Sequence, residues 1–116
     1  MVCSYLRSDY PDVIFFSDLS GVKLPWGLAH KVASLKSQRG IPDLVILEPR
    51  NGYHGLVLEL KKTGNNPYKK DGTLKSDPHL QEQDEVLRHL TALGYHAQFA
   101  VGFEEARDII STYFSK

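Results

Sequence analysis

Asp43, Glu59 and Lys61 stand among the Val and Leu residues of the stretch GIPDLVILEPRNGYHGLVLELKK (residues 40 to 62), most of which reads as two apolar strands joined by a turn. Charges in a strand that packs on a core are costly unless they are paired or bind a metal. Glu59 and Lys61 are two apart, so on a strand they share a face, with Leu58 and Leu60 on the other. A hairpin turning at Asn51-Gly52 returns Asp43 beside them. Two carboxylates held close repel unless a cation lies between them. A hard divalent ion such as Mg²⁺ supplies that cation and favours oxygen ligands. The lysine adds fixed positive charge where a phosphate or an attacking water would lie. The simpler reading is an exposed Glu59–Lys61 ion pair on a surface hairpin. Glu48 is the competing carboxylate, and its place near the turn reads as solvated.

The elements that must position these residues follow from periodicity and punctuation. Val2, Tyr5 and Leu6 suggest a short helix ending before Pro11, and VIFF at 13 to 16 reads as a strand. Leu28, Val32 and Leu35 recur at helical spacing, and Gly40 and Pro42 stop that helix. LVILE at 44 to 48 and LVLELK at 56 to 61 are strands. Residues 62 to 78 are polar and read as a long mobile loop. Asp77 caps a helix with Pro78 in its first turn, and Gly94 ends it. On that helix Leu80, Val86 or Leu87, Leu90 and Leu93 form the apolar face. Gln83 falls on the same inward side, where its amide needs hydrogen-bond partners. HAQFAV at 96 to 101 is a strand, and Ala106, Ile109, Ile110 and Tyr113 mark a last amphipathic helix. The order is α, β, α, β, β, α, β, α, an α/β arrangement with a mixed sheet flanked by helices.

Composition bounds the rest. At 116 residues the chain is expected to form a single domain over 1–116, with 41% hydrophobic and 24% charged residues. Acidic and basic side chains balance at 14 each, so net charge does not argue for nucleic acid. The lone Cys3 excludes an internal disulfide and a cysteine-based zinc site, and a reducing, cytoplasmic setting is expected. The five histidines have no HExxH-like spacing. No segment is long and apolar enough to span a membrane. Lys31, Lys36 and Arg39 on one helix, with Lys62, Lys69, Lys70 and Lys75 around the loop, could form a basic rim for phosphates. Ordinary loop solubility explains the same charges almost as well. Tyr53, Tyr68 and Trp26 are candidates for stacking on bases.

Gly40-Ile41-Pro42-Asp43, then Glu59-Leu60-Lys61, then Gln83 with Leu90 and Gly94, resembles the VRR-NUC branch of the PD-(D/E)xK nucleases. The resemblance runs over roughly residues 1 to 114, and the small stand-alone, phage-type members are the nearer comparison. It implies a restriction-endonuclease-like fold and metal-dependent phosphodiester hydrolysis, structure-selective on DNA in the manner of Holliday junction resolvases. On that resemblance Asp43, Glu59 and the Leu60 carbonyl hold Mg²⁺ or Mn²⁺. Lys61 orients the water or stabilises charge on the phosphate, and Gln83 positions Lys61 or the substrate. Branched DNA is the implied partner, and a bacterial or phage-infected cell the implied setting. A homodimer is expected because two strands must be cut, with Phe15, Phe16, Leu24 and Trp26 as its apolar surface. The chain departs from the family at two places. Its first helix holds no Glu before Asp9, leaving Asp9, Asp12 and Asp18 as candidates for a third carboxylate. Residues 99 to 102 read Phe-Ala-Val-Gly where the family's arginines stand. A catalytically weak or silent module that grips branched DNA is the alternative.

Overall fold

The computed structural model describes residues 2–17 and 42–115. The helix expected from Leu28, Val32 and Leu35 therefore lies outside the described residues. In chain order the elements are α1 (Val2–Asp9), β1 (Phe15–Ser17), β2 (Leu44–Ile46), β3 (Leu56–Lys61), α2 (Pro78–Ala92), β4 (His96–Val101) and α3 (Phe103–Phe114). The strands form one sheet in the order β1-β2-β3-β4. The first two pairings are antiparallel and β3–β4 is parallel, so the connection through α2 is the crossover a parallel pair requires.

Alternation along β3 divides the core into two layers. Leu56 and Leu58 point to one face with Leu44 and Ile46, and there they meet Leu6 of α1 and Ala106, Ile110 and Tyr113 of α3. Val57 points to the other face, where Leu87 of α2 and Phe99 of β4 cover it. Each fully buried leucine in the first layer contributes roughly 1.5–3 kcal/mol by leaving water. The second layer is smaller, and its strand face carries Glu59 and Lys61 onward from Val57. That face is closed by α2 and by nothing from α1 or α3 among these packed residues.

The Asn51-Gly52 turn forms as the dipeptide requires, with φ of 54° and 83° and a closed pair between Arg50 and Tyr53. It is tied to the end of α3: Asn51 Nδ2 donates to the Tyr113 carbonyl at 3.2 Å, and Tyr113 Oη donates to the Glu48 carbonyl at 2.6 Å. Glu48, expected to be solvated, is instead half-buried and paired with Arg50 at 3.0 Å. Arg50 in turn lies over the Phe114 ring. Gly55 opens β3 because a Cβ there would stand 2.5 Å from the Ile46 carbonyl oxygen. Helix α2 starts as its sequence dictates: Asp77 accepts the His79 N–H at 2.9 Å, and Pro78 follows it. Gly94 ends the helix at φ +103°. Among the described residues no helix is long and apolar enough to cross a membrane.

Candidate active site

The β2–β3 register pairs Leu44 with Leu58, so one further step sets Asp43 opposite Glu59. The pairing stops there, and Asp43 replaces it with a side-chain bond: its Oδ2 accepts the Leu60 backbone N–H at 3.0 Å. A strand residue's N–H and C=O point to the same edge. The Lys61 carbonyl is taken on the β4 side by Gly102 N–H, so the Leu60 carbonyl faces the Asp43 side. Asp43, Glu59 and the Leu60 carbonyl thus meet where β2 gives out.

Glu59 is only 4% exposed and Gln83 6%. Gln83 reaches down from α2 and its amide divides between two partners. Its Oε1 accepts from Lys61 Nζ at 2.6 Å, and its Nε2 donates to Glu59 Oε1 at 3.0 Å. The ammonium can only donate and a carboxylate can only accept, so these partners fix which way the amide faces. Lys61 Nζ also sits 5.7 Å from the centre of the Phe99 ring, an aromatic face that favours the cation. Lysine, amide and carboxylate form one hydrogen-bonded line, with Asp43 across the strand from its acidic end.

The expected residues come together in part. Asp43, Glu59, Leu60, Lys61 and Gln83 converge. Lys62, Lys69 and Lys70 are exposed beyond the Lys61 end of β3. Lys31, Lys36, Arg39, Asp18, Leu24 and Trp26 lie outside the described residues. Asp9 and Asp12 are exposed, and α1 packs on the opposite sheet face through Leu6. Tyr53 lies against His96 and Tyr113 near the start of β3, the end away from Lys61. Leu93, expected on the inward face of α2, is 53% exposed.

Sequence reasoning missed His79. Its Nε2 lies 3.3 Å from Gln83 Nε2, one helical turn before it on α2. The i, i+4 spacing from His79 to Gln83 was the available signal.

The donor set fits a hard cation. It is all oxygen, two carboxylates and a carbonyl, of the kind that Mg²⁺ accepts while keeping several waters. Among the described residues no group of three or more His, Cys, Asp or Glu side chains is placed to hold a metal. A cavity of about 860 Å³ lies elsewhere, beside β4 and α3. His96, Gln98, Glu104 and Asp108 are among its lining residues, and none of the converging residues is.

A mixed sheet with helices on both faces, carrying its acid–lysine line at the ends of β2 and β3, is the restriction-endonuclease-like α/β fold. A solved structure described as a VRR_NUC domain protein is similar to this chain, with a TM-score of 0.56 and 29% identity over 86% of this chain and 66% of that one. The chain therefore spans just under two thirds of that protein's length. No family model and no curated protein matches. The similar solved structure bears out the VRR-NUC resemblance read from the sequence.

Proposed function

We propose that the protein is a Mg²⁺- or Mn²⁺-dependent DNA endonuclease, selective for branched structures as a Holliday junction resolvase is. The observation that carries this reading is the line Lys61–Gln83–Glu59 with Asp43 beside it. A lysine has many structural uses, but one held at 2.6 Å by a buried glutamine that also holds a buried carboxylate is aimed. The solved VRR_NUC domain protein supports a nuclease as the class.

Asp43 and Glu59, with the Leu60 carbonyl, would hold the ion. When bound, it lowers the pKa of a coordinated water and draws charge off phosphate oxygens. The remaining work falls to side chains. Gln83 fixes Lys61 through one end of its amide and Glu59 through the other, so neither spends binding energy on finding its position. Lys61 keeps further N–H donors for the attacking water or the phosphate, where negative charge grows in the transition state. Asp43 stays in place because the Leu60 N–H holds its other side.

Two strands cross a junction, and the described residues of one chain form one such site. Symmetric cutting therefore calls for two copies. Strand β1, at one edge of the sheet among the described residues, supports this, since Phe16 is 63% exposed and the adjoining Ile14 66%. Action on DNA in a bacterial or phage-infected cell fits a cytoplasmic setting.

A second reading keeps the fold and DNA grip but makes the chain catalytically weak or silent. It is favoured by the count of two converging carboxylates among the described residues. The deciding experiment incubates a labelled four-way junction and its linear control with Mg²⁺ or Mn²⁺. Metal-dependent paired nicks in the junction, lost in Lys61→Ala, are expected. Junction binding with no cleavage in either metal would replace the enzyme by the binding module.

A further inference from the structure

We infer that residues 67–75, between β3 and α2, form a rigid phosphate-gripping ribbon that holds the DNA backbone beside the cleavage site. This rests on the nuclease reading above and adds the element that engages the substrate. Expected as a mobile loop, the segment is a small hairpin. Tyr68 and Leu74 pair across it, Lys69 N–H donates to the Thr73 carbonyl at 2.7 Å, and Lys75 N–H donates to the Pro67 carbonyl at 2.9 Å. The tip closes with Gly72 N–H on the Lys69 carbonyl, and Gly72 takes φ +87°, which suits glycine. Asp71 Oδ1 accepts both the backbone N–H and the hydroxyl of Thr73, at 3.0 and 2.6 Å.

The ribbon is seated as well as folded. Pro67 is fully buried, and Leu74 packs on the Val57–Leu87–Phe99 layer. The Tyr68 ring meets Phe99 edge-on at 5.9 Å, and Phe99 is the ring beneath Lys61. The base of the ribbon therefore shares a wall with the Lys61 end of the site.

What it presents is an excess of positive charge. Lys69 and Lys70 at the tip, Lys75 on the returning arm and Lys62 at the root are exposed, and none has an ion-pair partner among the described residues. Asp71, the one acid in the ribbon, is turned onto Thr73, whose hydrogen bonds hold its carboxyl below the ordinary range. A charge run kept for solubility needs no folded frame and no buried anchors. Lysines are point charges suited to phosphate oxygens, and contacts to phosphate carry no sequence information, so the grip is blind to sequence. Its partner is the phosphodiester backbone.

Binding of a short duplex and a four-way junction would be measured in Ca²⁺ buffer between about 50 and 200 mM salt. The wild type would be compared with Lys69→Gln/Lys70→Gln and with a control, Arg107→Gln, on α3. The double variant should bind more weakly, with its logarithmic salt slope shallower by about 2, since each lost phosphate contact removes about 0.9. The control should keep the wild-type slope, and all three should melt alike. Wild-type binding with an unchanged slope in the double variant would overturn the ribbon and leave the nuclease standing. An equal change in the control would overturn it as well, since general charge would then suffice. A wild type that binds neither DNA would overturn the ribbon and the nuclease reading together.

Discussion

The Leu60 backbone N–H donates to Asp43 Oδ2 at 3.0 Å, at the step where the β2–β3 pairing has ended. The bond does two things at once. It gives a strand donor the acceptor its neighbour no longer supplies, and it fixes the carboxylate opposite Glu59. Removing the side chain and removing its charge are therefore different experiments. Asp43→Ala orphans a backbone N–H and should cost about 1–3 kcal/mol, whereas Asp43→Asn keeps an acceptor there. The charge is best tested with Asp43→Asn and Glu59→Gln. Each should lose Mn²⁺ binding by calorimetry while keeping the wild-type far-ultraviolet spectrum. In metal-free buffer each should melt no lower than the wild type, because two like charges no longer face each other. Unchanged Mn²⁺ affinity in both variants would remove the site.

Lys61 and Lys62 are adjacent in sequence but differ in surroundings. Lys61 is held by Gln83 over Phe99, while Lys62 follows the end of β3 and is exposed. If Lys61 stabilises charge in the transition state, Lys61→Ala should slow cleavage by about 10²-fold or more while junction binding persists. Lys62→Ala should act mainly on binding. Equal rate losses at saturating DNA would mean that Gln83 holds Lys61 for stability alone.

How much of this was legible depended on whether a local rule governed each residue. Strand β4 runs from His96 to Val101 as its composition indicates, and Asp77-Pro78 and Asn51-Gly52 do what those pairs do elsewhere. Glu59 and Lys61 were legible because strand alternation puts them on one face, and the Asn51-Gly52 turn brings Asp43 back near them. The Arg50–Tyr53 pair is one residue out of step with Leu44–Leu58, so the turn alone does not set Asp43 opposite Glu59. Gln83 was placed inward by helical spacing, but that spacing could not say that its amide would join Lys61 to Glu59. The 67–75 ribbon was missed because Pro67, Tyr68 and Leu74 are too few and too irregular to make a period. The Asp71-Gly72 pair between Tyr68 and Leu74 was the turn signal that could have revealed it. Glu48 was misjudged because the Arg50 that pairs with it is itself held over Phe114, a tertiary contact that position near a turn does not reveal.

His79 offers a sharper test of the Gln83 arrangement. The Gln83 amide nitrogen carries two hydrogens, one directed to Glu59. The second can be accepted by His79 Nε2 at 3.3 Å only if that nitrogen bears no proton, which puts the ring hydrogen on Nδ1. His79→Ala should lower kcat about twofold to tenfold, the equivalent of one neutral hydrogen bond at about 0.5–1.5 kcal/mol, with KM little changed. His79→Gln can present an oxygen near the same place and should restore most of the loss. Ring ¹⁵N shifts should identify the Nδ1–H form. A Gln variant as impaired as the Ala variant, with the other tautomer in the wild type, would detach His79 from the site.

Acid should loosen the 67–75 ribbon by way of Asp71. Its carboxyl accepts two hydrogen bonds from Thr73, which depress its pKa below the usual value when folded. A carboxylate with a depressed folded pKa adds stability that is fully present above its unfolded pKa, about 3.9. That contribution is lost as pH falls through the lower folded value. Amide exchange at Gly72 and Thr73 should therefore be protected near neutrality and lose protection below about pH 4, after correction for the pH dependence of intrinsic exchange. Thr73→Ala removes the hydroxyl donor, so the Asp71 pKa should rise toward its ordinary value and the loss of protection should begin at higher pH. The core should stay intact across this window, because Asp71 is fully exposed and touches neither buried layer. Gly72 and Thr73 amides that keep their protection through that range, with Thr73→Ala unchanged, would show that Pro67, Tyr68 and Leu74 hold the ribbon by themselves.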